Sequence, residues 1–199
     1  ENFICTAEME GDRITIVAST QIPHIVRRVV GQALGVDWGK IRVIKPYIGG
    51  GFGNKQDVLY EPLCAWLCTK VGGHLVKLDV PREETFVCNR TRHSIRSHII
   101  SWVRQDGTFA ARKLEAFSDQ GAYASHGHSI VAKGAGAFPQ LYPCDNVEVD
   151  AYTVFTNKPV AGAMRGYGIP QAMWAVECHT EDIVARLGMD PIAFRRQNL

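Results

Sequence analysis

The stretch Gly49-Gly50-Gly51-Phe52-Gly53-Asn54-Lys55-Gln56 has the residue types to hold a ligand against backbone. Glycine lacks Cβ and accepts positive φ, so its N–H groups can approach an anion or an oxo group that other residues would block. A tight surface turn is the plainer reading, but Phe52 is a large apolar group for which a solvated turn has no use. The two common phosphate loops fail on spacing. A Walker A loop needs Gly before Lys and Ser or Thr after it, whereas Asn54 precedes Lys55 and Gln56 follows. The dinucleotide fingerprint, counted from Gly49 and Gly51, needs glycine where Asn54 stands.

A second dense motif, Ala163-Met164-Arg165-Gly166-Tyr167-Gly168, lies between a predicted strand and a predicted helix. There backbone donors and the positive end of the helix dipole face a bound group. An irregular turn with an exposed Arg165 fits the same residues. Gln21 sits at a third strand-to-helix junction, where a surface glutamine is the bland alternative. His126 and His128 read as side chains on one side of an extended segment, with metal-binding potential but no carboxylate or thiolate partner nearby. His24, His74, His93, His98 and His179 lack partners at ligand spacing. Glu83-Glu84 after Pro81 read as a helix first turn rather than as general acids. No nucleophile elbow of the Gly-x-Ser-x-Gly type is present.

These motifs must be positioned by a chain of 199 residues, 46% hydrophobic and 21% charged, which is ordinary for a globular protein with a sizeable core. A net charge of +2, with no run or face rich in Lys and Arg, gives no electrostatic case for nucleic acid. The apolar runs are too short to span a bilayer. Six cysteines form no Cys-x-x-Cys pair, which argues against zinc or iron–sulfur ligation within the chain. Cys64 and Cys68, at i,i+4, suit buried small hydrophobes, and reduced thiols point to the cytoplasm. The chain starts Glu1-Asn2-Phe3 without Met and stops at Asn198-Leu199, and it reads as an excised piece of a longer polypeptide, one domain over 1–199 or two sub-layers.

Alternation predicts strands at Arg13–Ser19, Ile41–Ile44, Leu75–Val80, Ser94–Val103, Phe109–Phe117 and Val147–Phe155. Asp106-Gly107 marks a hairpin. Helices are predicted from Pro23 to Leu34 with Gly35 as stop, Val58 to Val71, Ser129 to Lys133, Pro170 to Leu187, and from Pro191. Strands and helices alternate without βαβ regularity, so the fold class is α+β, with mixed sheets and packed helices.

Taken in order, Ser19-Thr20-Gln21, GGGFG at 49–53, Ser118-Asp119-Gln120-Gly121-Ala122-Tyr123, MRGYGIPQ at 164–171 and the ending Asp190-Pro191…Arg195-Arg196-Gln197-Asn198-Leu199 resemble the molybdenum-binding subunit of xanthine dehydrogenases and aldehyde oxidases. The likeness covers nearly the whole chain. It implies that family's molybdopterin-binding fold and a molybdopterin cofactor, in bacteria usually the cytosine dinucleotide form. Gln21, Gly51, Phe52, Gly53 and Arg165 would bind the cofactor. Gln21, Phe52 and Arg165 would lie near the molybdenum without ligating it, and Tyr167 would stack on a flat substrate. A planar aromatic platform suits a heterocycle or an aryl aldehyde.

Two positions depart from the xanthine pattern. Gln56 stands where xanthine oxidases carry Glu, and Lys133 where they carry Arg. Amide for carboxylate adds donors to an acceptor-only site, and Lys lacks the bidentate fork. The resemblance thus implies a hydroxylase for a purine, another N-heterocycle or an aldehyde. Its catalytic Glu, later pterin loops, iron–sulfur clusters and FAD would lie outside this chain, which alone should bind little cofactor and turn nothing over. The alternative is a non-catalytic nucleotide-binding or assembly module that keeps the glycine loop.

Overall fold

The computed structural model describes residues 2–199. The chain forms two compact units divided after Arg90.

In the first unit, β1 (Ile4–Glu10) and β2 (Arg13–Ala18) make an antiparallel hairpin. β2 then feeds α1 (Pro23–Leu34), and β3 (Ile41–Ile44) returns parallel to β2. After α2 (Glu61–Lys70), β4 (Val76–Asp79) pairs antiparallel with β1, giving the order β3-β2-β1-β4, and α3 (Arg82–Cys88) closes the unit. Period-two alternation turns Ile14, Ile16 and Ala18 of β2 and Cys5 and Ala7 of β1 onto one face. Val26 and Val30 of α1 and Cys64 and Cys68 of α2 cover that face and are fully buried, each valine contributing about 2 kcal/mol. α1 starts on Pro23 and stops at Gly35 in the left-handed conformation, φ 67°.

In the second unit, β5 (Ile95–Val103) and β6 (Phe109–Asp119) form the Asp106-Gly107 hairpin, in which Asp106 Oδ1 accepts from the Thr108 amide at 2.9 Å. α4 (Gly127–Gly136) crosses over to β7 (Val147–Val154), which lies parallel to β6. α5 (Ile169–Leu187) and α6 (Pro191–Asn198) complete the unit. The core joins Leu114 and Ala116 of β6 to Val131 and Ala135 of α4, Val176 and Val184 of α5, and Phe194 of α6.

Arg112 of β6 is buried in this core. Its Nη1 donates to the carbonyls of Phe138, Leu141 and Tyr142 at 3.3, 2.6 and 2.7 Å. Its guanidinium lies 4.9 and 4.2 Å from the ring centroids of Phe109 and Phe138. Carbonyl dipoles and ring faces replace the water that a buried cation has lost.

The two mixed sheets with packed helices are α+β, as the alternation predicts. Four local expectations change. β1 is not expected at all, because its core side is made by small Cys5 and Ala7. α2 starts at Glu61 rather than Val58. The buried Glu61 carboxylate accepts from the amides of Leu59 and Tyr60 at 3.1 and 3.2 Å, which holds those residues outside the helix, and Pro62 sits in the first turn. α4 runs beyond Ser129–Lys133 at both ends despite its glycines. His126 and His128 are not on an extended segment: His126 immediately precedes α4, without a side-chain capping bond, and His128 lies within it. Among the described residues no helix is long and apolar enough to cross a membrane.

Candidate functional site

The predicted site residues fall into two groups, one in each unit. In the first unit, Ser19-Thr20-Gln21 links β2 to α1, and the glycine loop returns to this junction. The Gln21 amide donates to the Lys55 carbonyl at 2.8 Å, and Gln21 Oε1 accepts from the Gly53 amide at 2.9 Å. Thr20 Oγ1 accepts from the Ile22 amide at 3.1 Å, which fixes the turn into the helix. With Oε1 committed to the loop, the Nε2 donors of Gln21 project to the opposite side of its amide. A Cβ on Gly51 would collide with the Gln21 side chain at its Cγ, Cδ and Oε1. The structure thus joins Gln21, Gly51 and Gly53 directly.

Phe52 is exposed and Gln56 half-buried. Asn54 Oδ1 is buried with no hydrogen-bond partner among the described residues. A cavity of about 540 Å³ in this unit is lined by Thr6, Val17, Tyr47, Gly49, Lys55 and Arg82 among others, but not by Gln21, Gly51, Phe52, Gly53 or Gln56.

The loop closes as a turn whose Asn54 amide donates to the Gly51 carbonyl at 2.9 Å. Its central residues are Phe52 at φ 51° and Gly53 at φ 94°, ψ −27°. In the second unit the Ile169 amide donates to the Gly166 carbonyl at 3.1 Å, with Tyr167 at φ 50° and Gly168 at φ 96°, ψ −26° between them. Positive φ at both central positions is the signature of a type I′ turn. Glycine adopts it freely, but an aromatic residue there costs about 1–3 kcal/mol, the kind of strain found at ligand clamps.

The second turn is clamped from two sides. Gly168 rests on α4 backbone so closely that a Cβ would collide with the Ile130 carbonyl, and a Cβ on Gly134 would come 2.8 Å from the Gly168 carbonyl. Arg92 donates from Nη2 to the Arg165 carbonyl at 2.7 Å and from Nη1 to Gln171 Oε1 at 3.2 Å. The Arg165 side chain is exposed and Tyr167 half-buried. Lys133 Nζ of α4 lies 5.8 Å from the Tyr167 ring centroid, and the Tyr167 hydroxyl is 3.1 Å from His126 Nδ1. So the structure brings Lys133 and Tyr167 together and adds His126.

Asp119, at the end of β6, anchors the segment that follows β7. Its carboxylate accepts from Lys158 Nζ at 2.8 Å, Thr156 Oγ1 at 2.6 Å and the Gly121 amide at 2.9 Å. These contacts, with Lys158 first, hold its pKa down at about 2. Burial, by contrast, pushes the Glu61 carboxyl above its usual range. His126 and Arg92 are the site neighbours that sequence reasoning missed. Arg92 stands two residues before the start of the predicted strand and carries no spacing signal, while the pairing of His126 with His128 in sequence suggests only a metal ligand.

A family model described as the molybdopterin cofactor-binding domain matches residues 1–199. The putative xanthine dehydrogenase molybdenum-binding subunit XdhA of Escherichia coli K12 is 52% identical over all of this chain and 26% of its own length. The nicotinate dehydrogenase large molybdopterin subunit of Eubacterium barkeri is 38% identical over 93% of this chain and 43% of its own. The solved aldehyde oxidoreductase of Desulfovibrio gigas superimposes with a TM-score of 0.89 at 27% identity, covering all of this chain and 22% of that one. The chain belongs to the molybdopterin cofactor-binding domain family. It spans about a quarter of the length of the first curated relatives it matches. These likenesses give no support to a non-catalytic nucleotide-binding or assembly module.

Proposed function

We propose that the chain carries cofactor-binding loops of a molybdenum–pterin hydroxylase of xanthine dehydrogenase type. The observation that carries this reading is the pair of strained turns, Gly51-Phe52-Gly53 and Gly166-Tyr167-Gly168, each opening a helical segment in a chain matched throughout by the cofactor-binding family. The residues fit such a group. Gly51 lets the Gln21 side chain lie directly against the loop, and buried Asn54 Oδ1 in the same loop has no partner among the described residues. An unpartnered acceptor there is a feature a bound polar group explains.

Gln21 offers its Nε2 donors to the group, and the Gly51–Gly53 loop offers backbone. Arg165, exposed before a helix N-terminus, offers a positive charge. When bound, the group supplies the redox centre at which a water-derived oxygen is inserted into an electron-poor carbon. Tyr167 supplies the flat surface on which a planar substrate rests, with Lys133 beside it and Gln56 as a polar contact able to donate or accept. The cofactor form we favour is the cytosine dinucleotide. Iron–sulfur and FAD modules and the remainder of the molybdenum subunit would be the partners, and the cytoplasm the setting, in keeping with six free cysteines.

The test is turnover by the full-length protein in water labelled with heavy oxygen, across purines, other N-heterocycles and aryl aldehydes. Label in the hydroxylated product supports the reading. Product carrying oxygen from any other source, or no product from the whole panel, removes it.

A further inference from the structure

The linear sequence shows no face rich in Lys and Arg, but folding of the first unit makes one. Strand β3 is outermost in the order β3-β2-β1-β4, so alternate residues of Ile41–Ile44 turn their N–H and C=O groups away from β2. A groove of about 450 Å³ follows this edge, lined by Ile41, Arg42, Val43 and Lys45 along it and by Arg13 and Arg27 beside it. Among the described residues no Asp or Glu lines it. The carboxylates nearest in sequence are engaged elsewhere. Asp12 pairs with Lys40 at 2.9 Å, and Asp37 Oδ1 accepts from the Gly39 amide at 2.6 Å.

The placement of the cations decides what they fit. In the β2–β3 ladder Ile14 pairs with Ile41 and Thr15 with Arg42. Ile14 and Ile41 pack in the core with Val26 and Val30 of α1, so Arg13 and Arg42, one residue away, lie on the opposite face of the sheet. Arg27, whose Nε donates to the Trp38 carbonyl at 2.7 Å, belongs to the helix on the core face. Positive charge therefore stands on both sides of an open strand edge. A compact anion seated on one face leaves the cations of the other unmet, and it offers nothing to the edge carbonyls. An extended strand reaches both faces, because its successive side chains point to opposite sides.

We infer that the β3 edge docks an extended acidic segment of a partner subunit. The segment adds a fifth strand, and its consecutive Asp or Glu residues meet Arg13 and Arg42 on one face and Arg27 on the other. The inference rests on the reading that the chain works within a multi-subunit hydroxylase. Charged side chains on an edge deter pairing between like copies. Charges of a single sign repel a second basic edge and draw an acidic one. The partner's backbone then supplies the hydrogen bonds, and its side chains the specificity.

The probe is a capped octapeptide of Glu pairs separated by single Val residues, titrated by calorimetry into the full-length molybdenum subunit alone and into the assembled enzyme. It should bind the lone subunit and not the assembled enzyme, where the partner holds the groove. Arg42→Glu should raise the peptide Kd about tenfold and Arg13→Glu/Arg42→Glu about a hundredfold, while Arg28→Glu, exposed but outside the groove, should change it less than about twofold. The two groove variants should also loosen the assembled enzyme in native mass spectrometry. N-methylation of alternate peptide bonds in the probe keeps its charge and should abolish binding. Equal binding to the lone subunit and the assembly, binding to neither, or unchanged binding of the methylated probe would each overturn the inference. So would equal binding of a thymidine oligonucleotide of the same charge. If Arg42→Glu does not fold, Arg42→Gln and the methylated probe carry the same comparison. Molybdenum and pterin content is measured on every variant. Full cofactor content with assembly indifferent to the charge reversals sinks the docking alone. Unmodified protein that assembles through the groove yet carries no cofactor sinks the hydroxylase reading alone.

Discussion

Phe52 and Tyr167 adopt the same left-handed backbone, at φ 51° and 50°, and each is followed by a glycine near φ 95° that opens a helical turn. The two residues are 115 positions apart. Folding alone has no use for two strained aromatic turns, because glycine would satisfy either without cost. Phe52 is 53% exposed. A strained backbone at an exposed aromatic is the mark of a position kept for a ligand.

The first prediction separates stability from function. Phe52→Gly should leave unfolding free energy unchanged or raise it by up to about 1 kcal/mol, while lowering the cofactor content of the full-length protein. Urea unfolding and pterin analysis of the same preparation check both halves. A marked loss of stability would show that Phe52 is held by packing instead.

Gln21 and Gly51 are one device. Gln21→Ala in the complete enzyme should slow turnover roughly 10²-fold through loss of a placed donor. Gly51→Ala should do comparable damage by displacing the Gln21 side chain, and the double variant should be little worse than either. Independent, multiplying losses would show that the glycine and the glutamine do not act together.

Substrate preference should follow Gln56. Gln56→Glu makes the position acceptor-only and should shift specificity toward xanthine-like purines, read as a change in the ratio of kcat/KM values across a substrate panel. An unmoved panel would mean that this position does not read the substrate.

Arg112 tests the scaffold under the second turn. Arg112→Ala removes three hydrogen bonds to carbonyls and the filling between Phe109 and Phe138, and should lower unfolding free energy by about 3–5 kcal/mol. Exposed Arg165→Ala should cost under about 1 kcal/mol and act on function instead. Denaturant midpoints of the two variants make the contrast directly.

The two carboxylates shifted in opposite directions predict opposite pH slopes. Asp119, held at about 2 by Lys158, Thr156 and the Gly121 amide, contributes stability that is present above its unfolded value of 3.8 and is lost as pH falls through about 2. Glu61, raised by burial, contributes stability present below its unfolded value of 4.5 and lost as pH rises through its elevated folded value. Asp119→Asn should flatten the acid limb and Glu61→Gln the limb above pH 4.5, as read from urea midpoints across pH.

Much of the frame was legible in sequence because the signals are local. Pro23 and Gly35 bracket α1, Asp106-Gly107 makes its hairpin, and the alternation from Arg13 marks β2. β1 escaped notice because Cys5 and Ala7 are too small to register as a hydrophobic face, although they line the middle of the sheet. α4 escaped in part because its glycines disfavour a helix locally. Gly127 and Gly134 are required by close approach to Gln120 and to the Gly168 carbonyl, which a linear reading cannot see. The same limit explains His126 and Arg92, whose partners lie 41 and 73 residues away. The glycine motifs were visible as loops, but the positive φ of Phe52 and Tyr167 is a property of coordinates.

Metal and pterin analysis of the full-length protein, purified from cells supplied with molybdate, tests the central claim most directly. The account predicts near-stoichiometric molybdenum and pterin that drop together in Gly51→Ala and Gln21→Ala. Full-length protein that is folded yet carries neither molybdenum nor pterin would contradict it.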